Sequence, residues 1–171
     1  LCSLCASEMN YNGFLENIIS ITITGVIVTT LCAILFSALN LYSKTCSTIE
    51  IQQQGLELQN HIERELNENI EIKSIKMING KNITDVDFDE RDIISIKYKP
   101  IDRDDSQGLD EIYLNSTTNK VFIKRRNAAS GYEIGNYLDK LYIEKRKNGK
   151  IVNIRLQLSK NNQNYEVKFS L

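Results

Sequence analysis

With Lys+Arg 21 against Asp+Glu 22 and a formal net charge of -1, this chain of 171 residues offers no electrostatic basis for a nucleic acid as its direct partner. Its 4 cysteines are Cys2, Cys5, Cys32 and Cys46, so everything beyond Cys46 lacks cysteine and a disulfide-stapled domain is excluded. Setting aside an apolar N-terminal stretch of about 45 residues leaves roughly 125, room for one small domain and not two.

In chain order, Leu1 precedes the first methionine, Met9, and residues 1–8 read as upstream sequence. Cys2 and Cys5 form a CxxC with no second pair and no nearby histidine, so neither a metal nor another cofactor is expected. From Asn17 to Ser43 there is no charged residue. At ~1.5 Å per helical residue that run would reach roughly 40 Å, more than the ~30 Å hydrocarbon core of a bilayer. A transmembrane helix over 14–43 is the expectation; the alternatives are a buried core helix or a signal peptide. A signal peptide wants a shorter apolar core, a basic start and small residues at its cleavage site, and Leu41-Tyr42-Ser43-Lys44 is a poor one. Asn17, Ser20, Thr22, Thr24, Thr29 and Thr30 can bond their own helix or a neighbouring one, and Gly25 permits close backbone approach.

Past Lys44 no proline interrupts the helical pattern before Ile70. Ile51, Leu58, Ile62, Leu66 and Ile70 form one stripe, with Gly55 in the missing place. An amphipathic helix over 44–70 is expected to continue the first, although Ser47 or Thr48 would equally cap a separate helix. After Ile70 the texture turns to strands: 71–78 ending at Asn79-Gly80, 92–98 stopping before Pro100, a polar loop over 101–108, a hairpin of 111–114 with 120–124, another of 138–146 with 151–157 across Asn148-Gly149, and a last strand at 165–169. Sequential hairpins imply an antiparallel sheet with one face free for the helix. The fold class is therefore α+β, a long N-terminal helix on a C-terminal antiparallel sheet spanning 71–171.

Chemistry-bearing constellations are few. His61 flanks the helical stripe and reads as a solvated helix histidine. Asp85, Asp87 and Asp89 have the early spacing of a cation loop, but no glycine follows and Ile96 stands where the twelfth-position acid belongs. With Glu90 and Asp92, and with Asp102, Asp104 and Asp105, they read as solvated loops. Lys124-Arg125-Arg126 and Lys145-Arg146-Lys147 with Lys150 sit at strand ends, where solvated charge is the expectation. No enzymatic activity is expected.

Gly13-Phe14 followed by Glu16, with nine residues from Glu16 to Gly25, resembles the prepilin cleavage motif of the type IV pilin superfamily, in particular its minor pilins and pseudopilins. The segments 131–138 and 151–158 look like the closing strands of clostridial-type members. The resemblance implies a leader over 1–13, cut by a prepilin peptidase between Gly13 and Phe14, and N-methylation of Phe14. It implies that Glu16 and Gly25 serve filament assembly, with other pilin or pseudopilin subunits as partners. An acid at the membrane edge costs a few kcal/mol, with ~2.5 to 3.5 at the centre of a spanning helix. A neighbouring subunit's N-terminus would relieve that cost, whereas a helix macrodipole alone favours the same acid. One residue, Leu15, separates Phe14 from Glu16 where the family has three, and no basic residue marks the leader. The resemblance implies a place in the cytoplasmic membrane, single-pass, with the C-terminal domain outside and at the cell surface when in a filament. It would be a subunit of a type IV pilus, competence or type II secretion-like filament. The alternative is a single-pass membrane protein whose β-rich domain binds a ligand or partner and never polymerises.

Overall fold

The computed structural model describes residues 2–66, 70–83, 85–104 and 108–171, with side chains from residue 13 onward. Among these residues one helix, α1 (Cys2–Glu65), precedes nine strands: β1 (Ile70–Met77), β2 (Asn82–Ile83), β3 (Phe88–Pro100), β4 (Asp110–Asn115), β5 (Lys120–Lys124), β6 (Tyr132–Gly135), β7 (Leu138–Arg146), β8 (Ile151–Lys160) and β9 (Gln163–Ser170). The chain divides into two compact units, Leu1–Thr45 and Cys46–Leu171. The first is wholly helical where described. The second carries residues 46–65 of α1 and the whole sheet, and is the α+β domain.

Every strand pairing is antiparallel. The long strand β3 organises the sheet. Ile93 pairs with Met77 and also with Leu141, so β1 runs along one side of β3 and β7 along the other. Tyr98, further along, pairs with both Ile72 and Asp110. The side opposite β1 is therefore shared, by β7 near 88–93 and by β4 along 95–98, and the hairpins β4–β5 and β7–β8 branch from one strand. A sheet that forks this way curls around the helix laid on it.

The inward face alternates as a half-buried sheet should: Ile112 and Leu114 on β4, Val121 and Ile123 on β5, and Val152, Ile154, Leu156 and Leu158 on β8 are buried while their neighbours are partly exposed. Ile51, Leu58 and Ile62 of α1 are fully buried and close this core from above. Each such side chain contributes about 1.5–3 kcal/mol through removal from water. Gly55 completes the stripe because a Cβ there would lie 2.9 Å from the Tyr165 ring and 3.0 Å from Val167. Gly135 is its counterpart on the sheet, where a Cβ would stand 2.5 Å from Leu58 Cγ. These two glycines let helix and sheet approach.

The structure corrects some sequence boundaries. The helix ends at Glu65, closed by the Leu66 N–H donating to the Ile62 carbonyl at 2.8 Å. Ile70, expected as the last member of the helical stripe, opens β1 and pairs with Pro100. Its four-residue spacing from Leu66 fits a strand equally, because Ile70 and Ile72 recur at two. The strand expected from Asp92 begins at Phe88, its charged 89–91 pointing to solvent. The start of α1 at Cys2 rather than within 14–43 places the Gly13-Phe14 bond inside a helix. Glu68 and the loop residues Asp105 and Ser106 lie outside the described residues.

Two left-handed residues, Asn161 (φ 49) and Asn162 (φ 61), join Lys160 to its partner Gln163. Positive φ at both central positions is the requirement of a type I′ turn, and asparagine tolerates it. Asn162→Ala should cost about 1 kcal/mol while Asn162→Gly costs nothing, as read by urea unfolding. Equal losses for both would show that the side chain, and not the backbone, holds this turn.

The end of α1 is locked by charge. Arg125 donates two hydrogen bonds to Glu65, both at 2.8 Å, and the Tyr98 hydroxyl donates a third at 3.0 Å. Beside them Asp110 accepts from the Arg126 N–H at 2.8 Å and from Arg103 at 3.2 Å.

Candidate functional site

The unit Leu1–Thr45 presents a helix whose described side chains, from Gly13 through Thr45, are all exposed. Phe14, Ile21, Val26, Leu35, Phe36, Leu39 and Leu41 each show 60% or more of their surface. A contiguous apolar surface of this extent marks a segment made for a lipid or protein environment. The helix is long and apolar enough to cross a membrane.

Its polar side chains are accommodated within the helix. The hydroxyls of Thr22, Thr24, Thr30, Ser37 and Thr45 donate to the carbonyl four residues earlier, at 2.7–2.9 Å. Thr29 shares its proton between Gly25 and Val26. Hydroxyls satisfied this way meet hydrocarbon at small cost. Glu16 is different: among the described residues its carboxylate has neither a hydrogen bond nor an ion pair.

Of the residues singled out by sequence, Gly13, Phe14, Glu16 and Gly25 all lie on this one helix, and among the described residues a Cβ on Gly13 or Gly25 would meet nothing within 4 Å beyond the adjoining helix backbone. At about 100° per residue the nine-residue interval from Glu16 to Gly25 is roughly half a revolution. The acid and the glycine therefore face opposite sides. Gly25 shares its side with Phe14 and Ile18; small side chains recur at Thr29, Ala33 and Ser37, but each four-residue step turns about 40°, so only Thr29 stays near the Gly25 side and Ser37 comes round to within about 60° of Glu16. The four-residue repeat of small side chains was not read from the sequence, although it is visible there.

The other candidates resolve into local structure. The Asp87 carboxylate accepts the N–H groups of Asn148 and Gly149 at 3.0 and 2.8 Å, tying two loops together. Glu90 holds Arg155, which also stacks 3.7 Å over the Tyr142 ring. Arg146 is paired with Glu144 and Arg125 with Glu65, so neither basic cluster presents all its charge outward. His61 Nδ1 lies 2.8 Å from Arg64 Nη2. A guanidinium only donates, so in this contact Nδ1 is the acceptor. The side chains of Cys2 and Cys5 lie outside the described residues.

At the start of the second unit, Glu50 accepts from the Tyr137 hydroxyl at 2.8 Å and pairs with Lys160 at 2.5 Å. Tyr137 holds φ 64, an unfavourable conformation for an aromatic residue. Lys160 foremost, then Tyr137, lowers the Glu50 pKa from the usual 4.5. A depressed carboxylate contributes stability above its unfolded value, lost as pH falls through the folded one. Stability of this domain should therefore decline below about pH 4.5, and Glu50→Gln should flatten that decline in an acid titration followed by circular dichroism. An unchanged acid limb would remove Glu50 from the account.

No family model matches the chain, and neither does any curated protein or solved structure.

Proposed function

We propose that this chain is a minor pilin or pseudopilin, a non-catalytic subunit that assembles into a filament through its N-terminal helix. The observation that carries this reading is an apolar helix exposed over residues 13–45, with Gly13-Phe14 and an unpaired Glu16 at its N-terminal part. The partners would be other subunits, a prepilin peptidase and the cytoplasmic membrane. Cleavage between Gly13 and Phe14 requires a peptide bond freed from the helix, and glycine, about 1 kcal/mol poorer than alanine in a helix, weakens it there. The new amine of Phe14 would be the methylation site. Glu16 would pair with the amine of a neighbouring subunit on one side, and Gly25 with Thr29 would pack against another neighbour on the opposite side. Two opposed faces suit a subunit surrounded by others.

The early position of Glu16 favours a second reading, a single-pass anchor whose β-rich domain works alone. Mass spectrometry of the native protein separates the two: a mature terminus at methylated Phe14 is expected, and an intact upstream segment excludes the filament subunit. Glu16→Ala should leave membrane insertion unchanged and lower incorporation into sheared filaments by tenfold or so, comparable to the loss of one charged pair. Normal incorporation would remove the pairing role of Glu16.

A further inference from the structure

On the face of the sheet turned away from α1, strand register sets one row of side chains across four strands: Lys76 pairs with Ser95, Ser95 with Tyr113, and Tyr113 with Phe122. A second row two residues away brings Glu111 opposite Lys124. Tyr113 and Phe122 stack with ring centroids 5.3 Å apart. The segment before β6 lies against that pair, since a Cβ on Gly131 would stand 2.9 Å from the Tyr113 hydroxyl. Together they enclose an open concavity of about 300 Å³ that also reaches Ser130.

Among the described residues its polar groups have no partner. Ser95 is 4% exposed, and its buried hydroxyl has no hydrogen-bond partner. A buried hydroxyl left this way costs about 1–3 kcal/mol; sealed from solvent, it lies in the floor of the concavity rather than opening into it. Among the described residues Lys76, Lys124, Glu111 and the Tyr113 hydroxyl make no hydrogen bond or ion pair either. Polar groups converging unpaired on one concavity beside an aromatic pair are the composition of a small-ligand site.

We infer that this concavity binds a single carboxylated sugar ring, free or as one residue of an acidic polysaccharide. The Lys124 ammonium takes the carboxylate, and Lys76, three strands away, donates to a hydroxyl on the far side of the ring. Glu111 accepts sugar hydroxyls, and Ser130 and the tyrosine hydroxyl donate or accept with others. The Tyr113 ring supplies an apolar surface for the C–H face. A bare anion gains nothing from Glu111, which repels it, and a neutral sugar leaves the Lys124 charge unmatched. The volume lies at the lower limit for ligand pockets, the size of one ring rather than a nucleotide. This site does not depend on the filament reading, and either can fail alone.

The test is calorimetric titration of the full chain in detergent micelles with D-glucuronate, a glucuronate trisaccharide, glucose and acetate. Saturable binding of glucuronate or of the trisaccharide at millimolar concentration is expected, the first pointing to the free sugar and the second alone to the polymer. Glucose and acetate should bind at least about tenfold more weakly. Lys124→Gln, at a solvent-reached position that leaves the fold intact, should weaken binding by about tenfold, and Tyr113→Phe by less. Acetate binding as tightly as glucuronate, absence of binding by both acidic sugars, or an unchanged affinity in Lys124→Gln would each overturn the site.

Discussion

Gly135→Val should lower the stability of the Cys46–Leu171 unit by about 3 kcal/mol and its melting temperature by roughly 10 °C. The cause is a single close approach. The first side-chain atom at position 135 would stand 2.5 Å from Leu58 Cγ and 2.6 Å from its Cδ2. Leu58 is fully buried and has no room to withdraw. Relief must come from a shift of α1 against β6, which disturbs the packing of Ile51 and Ile62 as well. Leu58→Ala alone should cost about 2–5 kcal/mol by leaving a cavity. Combined, the two changes should cost less than their sum by about 1–2 kcal/mol, because the valine fills the space that the leucine vacates. Urea unfolding of the full chain in micelles provides all three values. Simple additivity would show that Gly135 and Leu58 do not press on one another.

Glu65→Ala should cost about 2–3 kcal/mol, the largest effect among the charged residues of the domain. Its carboxylate is 9% exposed and receives three hydrogen bonds, two from Arg125 and one from Tyr98. Removing it leaves the phenol of Tyr98, itself 1% exposed, without an acceptor. Burial and the neighbouring carboxylate already raise the Tyr98 pKa far above its usual range, so the phenol stays a donor at any working pH. Arg125, at 48% side-chain exposure, returns to water with little penalty. Arg125→Ala should therefore cost less, about 1–2 kcal/mol, and Tyr98→Phe less again, about 0.5–1. A mutant cycle of Glu65 with Arg125 read by thermal unfolding checks the order. An Arg125 loss exceeding that of Glu65 would contradict the burial argument.

Much of the secondary structure was legible because its causes are local. The hairpin of β7 with β8 follows from alternating apolar residues around Asn148-Gly149, and the buried stripe Ile51, Leu58, Ile62 and Leu66 from helical spacing. Where two periods coincide the reading failed, as at Ile70, which suits either a helix continued from Leu66 or a strand shared with Ile72. The start of β3 was missed because charges at 89–92 hide a strand whose outward face is solvated. Among the residues of the candidate helix, Gly13, Phe14, Glu16 and Gly25 could be placed on one segment from spacing alone, and the half-turn between acid and glycine follows from the same helical period.

The sequence by itself determined the α+β class, the apolar N-terminal helix and the order of the hairpins, since propensity, periodicity and turn chemistry act over a few residues. Only the tertiary structure decided that β4 and β7 share one side of β3, that Gly55 and Gly135 are the points of closest approach, that Glu65 meets an arginine 60 residues away, and that Lys76, Ser95, Tyr113 and Phe122 form one row. Each of these depends on register between segments distant in the chain. A shift of one residue would turn every side chain to the other face, and that choice is made by the packing of the whole domain at once.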